Sequence, residues 1–76
     1  MTDDSGMRLS ARNSLKGRVT ALEKGPISAE VTITLSSGET VYATITHASC
    51  NALGLAEGVA ATAVIKAPLI ILGVPA

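Results

Sequence analysis

Period-two alternation of apolar and polar residues constrains this chain more than any other feature. From Leu15 onward, Leu15, Val19 and Ala21 lie on one face and Lys16, Arg18 and Thr20 on the other. Glu30 to Leu35 sets Val31, Ile33 and Leu35 against Thr32 and Thr34. Thr40 to Thr46 sets Val41, Ala43 and Ile45 against Tyr42, Thr44 and Thr46. Successive strand side chains point to opposite faces, so each run predicts a half-buried strand. Glu23-Lys24-Gly25-Pro26 and Ser36-Ser37-Gly38-Glu39 supply the turns between them.

The pattern changes at Thr46. His47 to Leu53 lacks β-branched residues, Thr46 is a good N-cap, and Gly54 suits the position just past a helix end. A helix of about two turns is predicted there. Val59 to Ala67 alternates again, Pro68 interrupts it, and Leu69 to Val74 is wholly apolar, predicting a last strand buried on both faces. The expected fold is all-β: a five-stranded antiparallel OB-like barrel with one short helix. Residues 1–6 read as a flexible tail and 7–76 as the domain. Met7 is an alternative start.

Such a barrel has little to fill it with. The 76 residues include one Tyr, no Phe and no Trp, and the single cysteine, Cys50, excludes a disulfide framework. A core of Val, Ile, Leu and Ala in so short a chain buries little area, so oligomerisation is the expected source of extra stability. The N-terminus is acidic and polar, unlike a secretory signal. Val59 to Ala76 carries one charge, but Lys66 near its middle and the breaks at Pro68 and Pro75 make it buried strand rather than a membrane span. The expected compartment is the cytoplasm.

Net charge is zero, yet Arg8, Arg12, Lys16, Arg18 and Lys24 gather in an N-terminal segment with Glu23 as its one acid. Single-strand nucleic-acid binders need aromatic stacking platforms and a basic balance; Tyr42 alone and a neutral chain exclude that class. His47 and Cys50, three residues apart with no second pair, form neither a metal site nor a nucleophilic machine, both being expected to point outward along one helix face. No enzyme constellation is present.

Oxyanion binding suits the residues better. A tetrahedral oxyanion wants many donors. Ser10 and Arg12 stand in a polar run before the first strand, and Arg12 offers a forked set of them. Thr46 and Ser49 stand at the helix start, where amides lack intrahelical partners. Lys66 stands at a strand end. Read singly, these are a polar run, a helix cap, a surface serine and a solvated lysine.

In order along the chain, they resemble a known family. Ser-Ala-Arg-Asn, an apolar residue, then Lys-Gly within residues 7–19 is similar to the opening of the molybdenum–pterin-binding (Mop, TOBE-type) domain. The similarity continues through Ile27-Ser28-Ala29-Glu30-Val31, Ala43-Thr44-Ile45-Thr46 with Ser49, Leu53-Gly54-Leu55, and Ala63-Val64-Ile65-Lys66-Ala67, covering 7–72. A single such domain resembles the molbindins. That resemblance implies a cytoplasmic homohexamer, a trimer of dimers, holding molybdate or tungstate at subunit interfaces for storage and homeostasis. No nucleic-acid or membrane partner is expected. The interface site that the resemblance implies would use Ser10, Arg12, Thr46, Ser49, Lys66 and the Ala67 backbone. A second, threefold-axis anion site falls on Gly25, Ile27 and Ser28. The same domain type also serves as a sensing part of transporters and regulators, so the alternative is an interaction module without anion storage. One departure stands out: Pro68 follows Lys-Ala where the family usually has Ser or Thr, which removes a donor.

Overall fold

A computed structural model of the chain describes residues 13–76. The expected tail at 1–6, and the site candidates Ser10 and Arg12, lie outside the described residues. Four strands form one antiparallel sheet: β1 (Asn13–Lys24), β2 (Ser28–Leu35), β3 (Thr40–Thr46) and β4 (Ala60–Ile65), in the order β3-β2-β1-β4. Helix α1 (His47–Ala52) connects β3 towards β4, and a single 3-10 turn, Ala67–Leu69, follows β4.

β1 is the organising element. Its first half, Asn13 to Arg18, pairs with β4, and its second half, Gly17 to Lys24, pairs with β2. One 12-residue strand therefore joins both wings of the sheet. Gly17 sits where they overlap, paired with Leu35 on one side and Ala61 on the other. A Cβ there would lie 2.5 Å from the Thr34 carbonyl oxygen and 2.8 Å from Ile33 Cγ2, so only glycine lets the strands approach.

Just beyond, the register shifts between Val19 and Ala21. This corrects the simple alternation expected of β1. Val19 is fully buried, but Ala21 is exposed and Leu22 turns inward in its place. An extra residue in one strand shifts every later side chain to the other face and tightens the bend. Val19 N–H donates to Val59 C=O at 2.9 Å and its carbonyl accepts from Gly58 N–H at 2.8 Å, so the loop before β4 is fastened at the bend.

Val19, Val31 and Ile33 form the buried centre, with Leu22, Leu35, Ala43, Ile45, Leu55, Ala61 and Ala63 packed around them. The all-β OB-like class and the lone short helix are as the alternation predicts. Thr46 caps α1, and Gly54 adopts φ +64° beyond it. There Gly54 N–H donates to Asn51 C=O and Leu55 N–H to Cys50 C=O, the paired bonds of a Schellman helix end. Cys50 does not point outward as expected; it is fully buried under the helix.

The fifth strand is the second correction. Leu69 to Val74 is neither strand nor buried: the 3-10 turn diverts the chain after β4, and Ile71, Leu72 and Val74 are each at least 88% exposed. Pro68 lacks the N–H a ladder needs. Among the described residues, β3 and β4 form the edges of the sheet. Between them opens an apolar cleft of about 460 Å³, lined by Ile33, Val41, Ala43, Ile45, Ala61 and Ala63 among others.

Candidate functional site

Two groups of candidate residues occupy opposite ends of β1. At its far end, Lys24 pairs with Ala29 and Ser28 pairs in turn with Thr46, which brings the Gly25–Ser28 turn against the start of α1. Ile27 C=O accepts from His47 N–H at 2.8 Å, and Lys24 Nζ donates to Asn51 Oδ1 at 3.1 Å. Thr46, Ser49, Gly25, Ile27 and Ser28 thus share one neighbourhood.

Within it, Ser49 N–H donates to Thr46 Oγ1 at 3.0 Å, and the Thr46 hydroxyl donates to Ser49 Oγ at 2.8 Å. The Ser49 proton is left to donate outward, on an exposed side chain. A hydroxyl that already accepts one hydrogen bond is a better donor for the next. His47 N–H is taken by Ile27, so among the described residues Ala48 N–H is the first-turn amide with no protein acceptor. The side chain of Ala48 has no chemistry to mark it in the sequence; its position two after an N-cap threonine is the available signal.

The turn beside this group carries opposing charge. Glu23 and Glu30 are cross-strand partners, and with Lys24, Gly25 and Ser28 they line a cleft of about 400 Å³. An anion at Gly25–Ser28 meets two carboxylates as well as one ammonium, whereas an anion at Ser49 and Ala48 meets donors.

Lys66 and Ala67 lie elsewhere. Asn13 pairs with Ile65, and Asn13 Nδ2 donates to Ile65 C=O at 3.1 Å, which places Lys66 just past the near end of β1. In the sequence Asn13 stands out only as a member of the Ser-Ala-Arg-Asn motif. The two groups are separated by the length of the 12-residue β1, at most about 36 Å at a rise near 3.3 Å per residue and less across its bend. Lys66 is exposed and begins the 3-10 turn, in which Leu69 N–H donates to Lys66 C=O at 3.0 Å and Ile70 N–H to Ala67 C=O at 3.3 Å. The described candidates therefore fall into two groups at opposite ends of β1. Among the described residues, no group of three or more His, Cys, Asp or Glu is placed to hold a metal ion.

Comparison with known proteins agrees on the kind of domain. The family model described as TOBE domain matches residues 9–72. The molybdenum transport protein ModE of Azotobacter vinelandii is 46% identical over 74 residues, 97% of this chain and 27% of that protein. The chain spans about a quarter of the length of the first curated relatives it matches. Molybdenum-pterin-binding protein 3 of Clostridium pasteurianum is 47% identical over 60 residues, 79% of this chain and 88% of that protein. Among solved structures, the cytoplasmic molybdate-binding protein ModG with molybdate bound superposes with a TM-score of 0.88 at 51% identity, covering 99% of this chain and 53% of that one.

Proposed function

The chain belongs to the TOBE-domain family and, within it, to the molybdenum-pterin-binding proteins; from that premise we propose that it binds molybdate or tungstate, as oxyanion, at sites shared between copies of itself. The single observation that carries the reading is the 51% identity over nearly the whole chain to a protein solved with molybdate bound. The proposed site comprises Ser10, Arg12, Thr46, Ser49, Lys66 and Ala67, and the unbonded Ala48 N–H is proposed as a further donor. A second, weaker anion position at Gly25, Ile27 and Ser28 works against Glu23 and Glu30. The protein acts by binding, not catalysis, in storage and homeostasis of the metal in the cytoplasm, as one domain over residues 7–76.

The placement of Thr46 and Ser49 toward one end of β1 and Lys66 toward the other supports assembly, since a second chain can bring the opposite end alongside. The exposed Leu69–Val74 segment and the open cleft between β3 and β4 support it too, since an exposed apolar segment and an apolar trough each need covering. The proposed assembly is a homohexamer, a trimer of dimers. No helix of the described residues is long and apolar enough to cross a membrane.

Molybdate is fully deprotonated at neutral pH and only accepts hydrogen bonds. A site of donors suits it and rejects hydrogen phosphate, whose proton needs an acceptor. Native mass spectrometry with molybdate, and with sulfate and phosphate as controls, tests the reading. A hexamer gaining discrete molybdate masses unmatched by the controls is expected. A hexamer that takes up no oxyanion, or a monomer, overturns it.

A further inference from the structure

We propose that the 3-10 turn built on Pro68 tunes the selectivity of the oxyanion site by engaging the Lys66 and Ala67 carbonyls within the turn; this rests on the proposed function above. Lys66 and Ala67 each bring a carbonyl oxygen as well as donors. A carbonyl facing a dianion repels it, but the same carbonyl accepts the proton of hydrogen phosphate. The turn disposes of both: Lys66 C=O accepts from Leu69 N–H at 3.0 Å and Ala67 C=O from Ile70 N–H at 3.3 Å.

Among the described residues every peptide bond is trans. In a trans peptide the N–H points opposite to the C=O of the same unit. Turning Lys66 C=O into the turn therefore turns Ala67 N–H out of it. The next unit, Ala67–Pro68, has no N–H at all. Lys66 and Ala67 thus present one outward amide donor beside the Lys66 ammonium, while both of their carbonyls are engaged inside the turn. Pro68 sits at the start of the turn, where its fixed φ suits the geometry. It is a positioning residue. The donor it removes is offset by the acceptors it keeps out of reach.

The test is competition calorimetry on the full chain and on Pro68→Gly and Pro68→Ala, with molybdate, sulfate and phosphate, at a concentration where sedimentation shows all three proteins assembled alike. A hydrogen bond to a charged partner is worth about ten- to a hundredfold in affinity. In Pro68→Gly the turn loosens, and phosphate is expected to gain about tenfold relative to molybdate, with Pro68→Ala between. Sulfate, which carries no proton at this pH, is expected to keep its ratio to molybdate. A structural role alone moves all three anions together, and that outcome, or no change, overturns the inference. Wild-type protein that takes up no molybdate overturns the functional reading, and this inference with it.

Discussion

Thr46 and Ser49 close on each other through two hydrogen bonds, Ser49 N–H to Thr46 Oγ1 at 3.0 Å and the Thr46 hydroxyl to Ser49 Oγ at 2.8 Å. The pair caps α1 and leaves one proton aimed outward. Stability and binding therefore separate between two neighbouring residues. Thr46→Ala removes the cap acceptor and is expected to cost about 1 kcal/mol, read from urea unfolding. Ser49→Ala keeps the cap and loses the outward donor, so its unfolding midpoint stays near wild type while molybdate affinity falls by about tenfold.

Arg12 tests the other part of the proposed site. A forked guanidinium can make several charge-assisted bonds where a serine hydroxyl makes one. Arg12→Ala is expected to weaken molybdate binding more than Ser49→Ala in the same titration. Unchanged affinity in Arg12→Ala removes that residue from the site.

Gly17 is where two strand pairings share one residue. With the Thr34 carbonyl oxygen 2.5 Å from where an alanine methyl would stand, neither backbone has room to yield. Gly17→Ala is expected to destabilise the fold by about 1–3 kcal/mol, the usual cost of overpacking. Denaturant melts that coincide with wild type would show that β1 and β2 separate more easily than this geometry implies.

The C-terminal segment tests assembly. Ile71 is 95% exposed and touches no core of its own chain, so Ile71→Asp leaves the isolated fold intact. If a second copy covers it, the substitution buries a charge and dissociates the oligomer. The expected result is a smaller species in sedimentation with an unchanged circular dichroism spectrum. An oligomer of wild-type size would place the subunit contacts elsewhere.

Ligand and assembly are also linked. A ligand that binds only the folded assembly stabilises it by about 2.7 kcal/mol per site at a hundredfold excess over Kd. Thermal unfolding is expected to shift upward with molybdate and not with phosphate. A melting temperature indifferent to molybdate argues against sites between subunits.

Sequence alone determined the parts of this protein that depend on local rules. Val31, Ile33, Val41, Ala43 and Ile45 alternate because strands have a period of two, and their strands formed with those residues turned inward. Thr46 and Gly54 bracket a helix because one supplies an oxygen to a free amide and the other tolerates positive φ. The donor-rich residues were likewise visible, since their chemistry belongs to the side chains. Tertiary structure alone decided what depends on pairing. The bulge after Val19 arises where β1 bends between its two partners, and no local pattern announces it. Leu69 to Val74 reads as a buried strand because it is apolar, but a strand needs a neighbour with free hydrogen-bonding groups, and Pro68 turns this one away from its own sheet. The register of β1 sends Lys66 to one end and Thr46 to the other. Composition can name candidate donors; only the pairing of strands says that Thr46 and Lys66 stand toward opposite ends of β1.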